Sequence, residues 1–379
     1  MRTAFVNGRL HGTDGSTLVR TVLVHEQTIE AVLCPSTPIA SGTRVVDLEG
    51  RRLLPGYVDV QVNGGGGVLF NDAPTIEGIA AIGAAHRRFG TTAFLPTLIS
   101  DDLEVIRRGI AAVDAAIETG VPGVLGIHIE GPFLNTTRKG IHDPTRIRRL
   151  DPELVPLLSS LKRGRTLVTL APECTTDEVI RALSDAGVLV CAGHTDATCS
   201  QIESALRQGM RGFTHLFNAM SPLASREPGV VGAALLDPCS WCGIIVDGRH
   251  VDPRVLRLAL AAKSRERFML VTDAMPCVGT DAQSFMLQGK RIHVRDGYCV
   301  DDAGTLAGTA LDMGRAVRNT VAMLGLSAAD AVRIASETPA EFLGLGATHG
   351  RIAAGCRADF VVADDALEIL EVWQGGRRT

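Results

Sequence analysis

Short apolar runs and amphipathic segments alternate regularly through the middle of this chain, and this alternation limits the folds that it can adopt. Eight apolar runs have the character of strands: 53–62, 91–95, 124–130, 166–171, 188–193, 211–216, 243–247 and 268–273. Helix-like segments separate most of them: 75–89, 101–119, 176–186, 197–208 and 252–264. This alternation predicts an α/β fold, and eight strand–helix units predict a (β/α)8 TIM-like barrel. An open, doubly wound sheet stays the alternative, because spacing alone does not give the strand order.

The two ends of the chain differ in character from this middle. Residues 1–53 have the pattern of short strands separated by turns, and residues 346–379 repeat it. Alternating segments with β-branched residues and no helical periodicity favour strands, so we expect sheet at both ends. The sequence therefore predicts two units. One is a small β-sandwich domain built from 1–53 and 346–379, and the other is a barrel that spans 54–345.

Composition and charge exclude several classes of protein. The 379 residues include 38 Lys and Arg against 42 Asp and Glu, and only 4% of residues are aromatic. Nucleic-acid-binding proteins depend on many phosphate contacts and on base stacking, so this balance argues against one. No apolar leader and no run of about 18 apolar residues occurs, which predicts neither a signal peptide nor a membrane span. Nine cysteines favour free thiols in a reducing compartment, so we expect a cytoplasmic protein.

Four polar side chains stand where predicted strands end. Glu130 ends the third strand, His194 follows the fifth, His215 ends the sixth and Asp273 ends the eighth. In a closed barrel the carboxyl ends of the strands meet at one mouth, so these residues can share a site. Two neutral imidazoles and a carboxylate suit zinc or a similar divalent ion, and three protein ligands leave a position open for water. Taken singly, each residue is well explained as a strand or helix cap, but the set predicts a metal site.

Asp273 and His128 have predicted roles beside the metal ligands rather than among them. A carboxylate next to a metal ion can accept a proton from water and later deliver it to a leaving amine, which is the role predicted for Asp273. The alternative for Asp273 is structural, as an acceptor for backbone amides of the next loop. His128 lies two residues before Glu130, so both side chains point to the same face of the strand. We predict a buried histidine beneath Glu130, not a ligand.

Five residues in the loops after the strands are candidates for substrate contacts. His142 lies in the long loop after the third strand, and His250 follows the seventh strand. Asn218, Ala219 and Arg226 lie beyond the sixth strand. An arginine and a histidine that converge with backbone N–H groups suit a phosphate. Arg226 by itself is equally well explained as part of a surface ion pair.

Most of these candidates belong to six short motifs. In chain order the motifs are Leu54-Pro55-Gly56-Tyr57-Val58-Asp59, His128-Ile129-Glu130-Gly131-Pro132-Phe133, Gly193-His194-Thr195, His215-Leu216-Phe217-Asn218-Ala219-Met220, Asp247-Gly248 with His250, and Thr272-Asp273-Ala274. This series resembles the N-acetylglucosamine-6-phosphate deacetylases of the amidohydrolase superfamily. The resemblance covers nearly the whole chain, since Leu306-Ala307-Gly308 and residues 355–362 are also similar to that family. It implies hydrolysis of the acetamide of N-acetyl-D-glucosamine 6-phosphate to D-glucosamine 6-phosphate and acetate, in amino-sugar catabolism or cell-wall recycling.

The resemblance also implies roles for the residues that carry the chemistry. Glu130, His194 and His215 would bind one divalent metal ion per subunit, zinc first, with iron, manganese or cobalt as alternatives. Asp273 would act as general base and then as general acid. His142 would contact the substrate and help to polarise the acetyl carbonyl.

A further implication of the resemblance concerns the sugar phosphate, which is the expected small-molecule partner. Asn218, Ala219, Arg226 and His250 would hold it. In similar enzymes the arginine and histidine can come from the neighbouring subunit, so the resemblance implies a homodimer. No nucleic acid and no membrane is expected as a partner.

One segment departs from the pattern of the wider superfamily. Many members place a His-x-His pair on the first strand to hold a second metal, whereas this chain has Gln61-Val62-Asn63. Neutral amides are poor replacements for imidazole, so we expect one tightly bound ion, with a weaker second ion left open. Three alternative functions stay open as well. They are a deacetylase of another amino-sugar phosphate such as N-acetylgalactosamine 6-phosphate, an amidohydrolase acting on a cyclic amide, and a non-catalytic scaffold.

Overall fold

The structure is a computed structural model that describes residues 2–11 and 17–379. Its β-strands are β1 (Arg2–His11), β2 (Thr17–His25), β3 (Thr28–Leu33), β4 (Arg44–Asp47), β5 (Arg52–Pro55), β6 (Tyr57–Val62), β7 (Gly64–Gly65), β8 (Val68–Leu69), β9 (Thr91–Ile99), β10 (Gly126–Glu130), β11 (Arg165–Leu170), β12 (Leu189–Ala192), β13 (Gly212–Phe213), β14 (Trp241–Ile244), β15 (Phe268–Leu270), β16 (Ser284–Leu287), β17 (Lys290–Arg295), β18 (Tyr298–Asp301), β19 (Leu306–Thr309), β20 (Phe360–Ala363), β21 (Ile369–Gln374) and β22 (Arg377–Arg378). Its α-helices are α1 (Ile76–Arg87), α2 (Leu103–Glu118), α3 (Val155–Leu158), α4 (Asp177–Asp185), α5 (Cys199–Arg207), α6 (Gly229–Leu236), α7 (Pro253–Ala262), α8 (Met313–Leu324), α9 (Ala328–Ala335) and α10 (Glu337–Phe342).

Eight parallel strands in the middle of the chain form a closed barrel. Their order around the barrel is β6, β9, β10, β11, β12, β13, β14 and β15. The ring closes just beyond the last strand, where the backbone N–H of Asp273 donates to the carbonyl oxygen of Gln61 at 3.0 Å. Val62 and Ala274 form a parallel bridge at the same place. This closure confirms the predicted barrel, excludes the open doubly wound sheet and brings the strand ends to one mouth.

The barrel helices begin at the residues that suit an N-cap. Thr176 caps α4 by accepting a hydrogen bond from the backbone N–H of Val179, and Thr198 forms a capping box at the start of α5. Asp102 is the N-cap residue of α2 but makes no side-chain cap bond. Its carboxylate is ion-paired with Arg146, in the loop after β10.

Strands from both ends of the chain join in a second sheet, which confirms the small β domain. Its order is β22, β21, β20, β5, β1, β2 and β3, with β4 paired to the other edge of β1. The carboxyl-terminal β20 lies antiparallel to β5, so the two ends of the sequence share one sheet. Phe5, Phe360 and Trp373 form its core, with ring centroids 5.2 Å and 4.8 Å from Phe5 to the other two. Edge-to-face rings and apolar burial contribute to the stability of this unit.

A third sheet, β16 to β19, was not predicted from the sequence. Its four short strands form an antiparallel meander between the last barrel strand and α8. An apolar cluster that includes Ile99, Ile141 and Met275 lies between this sheet and the barrel mouth. The sheet therefore forms one wall beside the strand ends. Within residues 2–11 and 17–379, no helix combines the length and apolarity needed to cross a membrane.

Candidate active site at the barrel mouth

A cleft of about 460 Å³ opens at the mouth of the barrel. Eight of the predicted site residues line it: Glu130, His142, His194, His215, Asn218, Ala219, His250 and Asp273. Arg226 does not line the cleft, because it lies exposed on the loop between β13 and α6. Arg138, Thr305 and Met275 are among the lining residues that the sequence analysis did not single out. Thr305 lies between β18 and β19 of the unpredicted third sheet, which explains why no strand-end signal pointed to it.

Glu130, His194 and His215 bring three potential ligand atoms together at the centre of the mouth. Nε2 of His215 lies 2.9 Å from Glu130 Oε1, and Nε2 of His194 lies 3.2 Å from the same oxygen. The two Nε2 atoms are 3.1 Å apart. All three side chains are buried, and this is the only such group in the described part of the chain.

The tautomer of His194 decides what this cluster can bind. Its Nδ1 lies 2.9 Å from the carbonyl oxygen of Arg138, a partner that can only accept, so Nδ1 carries the proton. Nε2 then presents a lone pair toward the carboxylate oxygen of Glu130. Two buried groups that face each other with lone pairs repel each other unless a cation, either a proton or a metal ion, lies between them. One carboxylate and two imidazoles form the donor set of a divalent metal site.

The backbone turns sharply at three of these residues. The φ angles are 50° at His194, 33° at His215 and 51° at Asp273, all in the left-handed region that favours glycine. The predicted strands 211–216 and 268–273 therefore end early, at Phe213 and Leu270. Leaving the extended conformation lets the next side chains turn toward the barrel axis instead of alternating across the sheet. Backbone strain of this kind concentrates at functional sites.

Asp273 lies beside the cluster and is held by two amides. Nδ2 of Asn63 donates to its Oδ1 at 2.7 Å, and Nε2 of Gln61 donates to the same oxygen at 3.2 Å. Gln61 also donates to Glu130 Oε2 at 3.0 Å. Burial, and next the negative charge of Glu130, raise the pKa of Asp273 to about 6. In the sequence these amides stand only where many relatives have imidazoles; their role as donors to two carboxylates appears in the structure.

His142 and His128 occupy different layers of the mouth. The ring of His142 packs against that of His194, with centroids 4.4 Å apart and planes inclined at 59°. Burial, and next electrostatic repulsion from His194, lower the pKa of His142 to about 3. It is therefore neutral at physiological pH. His128 lies deeper, with Nε2 2.8 Å from Thr169 Oγ1 and Nδ1 3.3 Å from Thr97 Oγ1. Both of its nitrogens have hydroxyl partners, which agrees with a buried histidine rather than a ligand.

The remaining predicted substrate contacts that line the cleft are His250, Asn218 and Ala219. Nδ1 of His250 is 2.6 Å from Asp247 Oδ2, which orients the imidazole with its second nitrogen free for a ligand. Nδ2 of Asn218 donates to the carbonyl oxygen of His215 at 3.1 Å, and this hydrogen bond stabilises the loop after β13. Ala219 also lines the cleft, and its φ of 51° lies in the left-handed region.

Comparisons with known proteins bear on this site. The family model of the amidohydrolase family matches residues 52–378. An N-acetylgalactosamine-6-phosphate deacetylase of Shewanella sp. (strain ANA-3) is 45% identical over 86% of this chain and 82% of its own length. An N-acetylglucosamine-6-phosphate deacetylase of Haemophilus influenzae is 33% identical, over 94% and 93% respectively. The crystal structure of N-acetylglucosamine-6-phosphate deacetylase from Pasteurella multocida superimposes with a TM-score of 0.95 at 33% identity, covering 100% of both chains.

Proposed function

This chain belongs to the amidohydrolase family, and from that premise we propose that it hydrolyses the acetamide of N-acetylglucosamine 6-phosphate to glucosamine 6-phosphate and acetate. The observation that carries the proposal is the convergence of Glu130, His194 and His215 beside the buried carboxyl group of Asp273. A metal site with three ligands and an adjacent proton-transfer group is suited to hydrolysis. The relatives that match nearly the whole chain supply the class of substrate.

Glu130, His194 and His215 would hold one divalent ion, and we propose zinc, with iron, manganese or cobalt as alternatives. When bound, such an ion supplies Lewis acidity, which polarises a carbonyl group and lowers the pKa of water. The donor set of one carboxylate and two imidazoles supports zinc because of its preference for nitrogen and oxygen ligands. Gln61 and Asn63 direct their amide N–H groups at carboxylates, and we propose a single tightly bound ion here.

Asp273 is the residue proposed to move the proton. In its ionised form it accepts a proton from the attacking water, and in its protonated form it donates that proton to the departing nitrogen. A pKa near 6 suits both steps, because neither form is far in free energy from the other at neutral pH. The amides of Gln61 and Asn63 hold Oδ1 and leave the second carboxyl oxygen for the reaction.

His142 is proposed to stabilise the negative charge that develops on the amide oxygen. His142 lines the cleft and its ring is neutral. A ring N–H directed into the cleft would donate a hydrogen bond to that amide oxygen. A donor placed in advance at such an oxygen lowers the activation free energy by a few kcal/mol, which raises the rate by about 10²–10³-fold.

The phosphate site is proposed to span two subunits. Asn218, Ala219 and His250 line the cleft, while Arg226 lies outside it on an exposed loop. We propose a homodimer in which Arg226 reaches the cleft of the other subunit. The nine unpaired cysteines support a reducing, cytoplasmic location.

A second candidate substrate is N-acetylgalactosamine 6-phosphate. The relative that acts on this sugar shares 45% identity with the chain, more than the 33% shared with the Haemophilus influenzae enzyme. The two sugars are epimers that differ in the orientation of one hydroxyl group, so the same metal site and proton donor serve both. The choice between them lies in the cleft wall, where one or two hydrogen bonds discriminate.

The test is to measure acetate release from both sugar phosphates with zinc-loaded protein whose metal content is determined in parallel. We expect release from N-acetylglucosamine 6-phosphate, with the ratio of the two kcat/KM values giving the preference. No acetate from either sugar phosphate contradicts the proposed function. Faster turnover of the galactosamine compound reassigns the substrate and leaves the chemistry unchanged.

The phosphate proposal has a separate test. Arg226→Ala should raise KM for the phosphorylated sugar and leave the slow reaction of the unphosphorylated sugar unchanged, because only the phosphate loses a partner. Arg107→Ala, on the exposed face of α2, is the matched control and should alter neither. Equal losses for both sugars upon Arg226→Ala would refute the assignment.

A further inference from the structure

His142 has one nitrogen in the protein and one at the cleft, and the contacts of the first determine what the second can do. Its Nδ1 lies 2.7 Å from Ser100 Oγ and 3.3 Å from the backbone N of Ser100. Ser100 directly follows β9 and is completely buried. In the part of the chain that the structure describes, Nε2 of His142 has no protein partner, and the residue lines the cleft.

The backbone N–H of Ser100 can only donate a hydrogen bond, so the Nδ1 atom that it faces must accept. A proton on Nδ1 would confront that N–H with a second N–H. The hydroxyl group of Ser100 then also donates to Nδ1, at the shorter of the two distances. With Nδ1 unprotonated, the single proton of a neutral imidazole is on Nε2, the nitrogen on the side of the cleft.

Ser100 itself is held from two sides. Asn71 pairs with the backbone of Ile99, accepting from its N–H at 3.1 Å and donating to its carbonyl oxygen at 3.0 Å. This carbonyl belongs to the same peptide unit as the Ser100 N–H, so Asn71 fixes the direction of that donor. Gln288, at the turn between β16 and β17, donates to the carbonyl oxygen of Ser100 at 2.7 Å. The third sheet thus contacts Ser100, which in turn contacts His142.

We propose that Ser100 is a positioning residue that fixes His142 in the Nε2–H tautomer, so that His142 presents a hydrogen-bond donor, not an acceptor, to the amide oxygen of the substrate. This inference rests on the proposed function for the identity of the oxygen. The tautomer itself rests only on the contacts of Ser100. The opposite tautomer would place a lone pair against the developing negative charge and remove the contribution of His142.

The first experiment reads the tautomer directly and does not depend on turnover. Full-length protein labelled with ¹⁵N-histidine and loaded with zinc is compared by NMR with His142→Gln, which identifies the His142 signals by their loss. We expect Nδ1 to have the chemical shift of an unprotonated nitrogen and Nε2 that of an N–H. The reverse assignment overturns the proposal whether or not the protein releases acetate.

The second experiment separates positioning from general damage. Ser100→Ala removes the shorter of the two hydrogen bonds to Nδ1 of His142 and keeps the one from the backbone N–H. It should therefore lower kcat for the acetylated substrate by about tenfold, less than the ~10²–10³-fold lost when a donor to an oxyanion is deleted, with KM nearly unchanged. Ser100→Thr keeps the hydroxyl group and should restore most of kcat. Ser336→Ala is the matched control, because Ser336 is another completely buried serine whose Oγ donates to the carbonyl oxygen of Val332, away from the cleft.

An activated substrate sharpens the result. The trifluoroacetyl analogue of the sugar phosphate has a more electrophilic carbonyl group and needs less help from a donor, so the loss upon Ser100→Ala should shrink on it. The proposal falls if Ser100→Ala lowers kcat equally on both amides, or if Ser336→Ala causes the same loss. Absence of acetate release from the native protein would instead count against the proposed function, while the NMR result still decides the tautomer.

Discussion

At the barrel mouth, His194, His215 and Asp273 all have positive φ angles, whereas in the terminal sheet positive φ is found at turns such as Glu26 and Glu49. The mouth buries carboxylates, imidazoles and amides against one another, while the terminal sheet is stabilised by Phe5 and its aromatic neighbours. The two regions therefore place different demands on the chain. The mouth spends conformational and desolvation free energy to hold reactive groups, and apolar packing elsewhere must offset it.

This contrast predicts that changes at the mouth alter chemistry and that changes in the terminal sheet alter stability. The largest effect should follow Glu130→Gln, which removes the charged member of the metal-binding cluster. Metal retained after dialysis and turnover should both fall to a small fraction of the native values, measured by elemental analysis and acetate release. Glu104→Gln, on the exposed surface of α2, is the control and should change neither. Full metal content in Glu130→Gln would remove Glu130 from the ligand set.

Asp273→Asn separates metal binding from proton transfer at the barrel mouth. Because the amide cannot accept the proton from water, we expect kcat to fall by about 10²–10⁴-fold. Metal content should stay at the native level, since Asp273 lies beside the cluster and not in it. Turnover close to that of the native protein would exclude Asp273 from the mechanism, and loss of the metal would make it a ligand.

Phe5→Ala applies the same reasoning to the terminal sheet. Phe5 is completely buried and contacts the rings of Phe360 and Trp373, so its truncation should cost about 3–5 kcal/mol of stability. We expect a lower Tm by differential scanning calorimetry and an unchanged kcat/KM at 25 °C. A loss of activity in the folded variant would show that the terminal sheet also shapes the mouth.

Asn63→Asp should produce the smallest change, a shift in pH dependence. The native acid limb of kcat/KM is expected near pH 6, because Asp273 must be ionised to accept a proton and its pKa is raised to about 6. Asn63 Nδ2 lies 2.7 Å from Asp273, so a carboxylate there disfavours ionisation and should move the limb upward by about one pH unit. Asn63→Ala removes only the hydrogen bond and should shift the limb less, in the same direction. An unmoved limb in Asn63→Asp would mean that another group controls it.

Much of the fold and the site could be predicted from the sequence, because the hydrophobic period of a segment and the residue that ends a strand are local properties. The strand predicted at 166–171 is found at Arg165–Leu170, and Glu130 ends its strand as expected. The third sheet was missed since its strands of four to six residues lack long apolar runs. Ser100 gave no signal of its own, because a serine after a strand is ordinary until its contact with His142 is seen.

The alternation that produces a barrel, the sheet character of both ends and the residue types for metal binding and proton transfer can all be read in the sequence. They follow from the hydrophobic period and the side-chain chemistry of each segment taken alone. Barrel closure, the hydrogen bonds from Gln61 and Asn63 to carboxylates on distant strands, and the position of Arg226 outside its own cleft appear only in the folded chain. Those are relations between segments far apart in sequence, and barrel closure sets them by fixing which strand ends face one another.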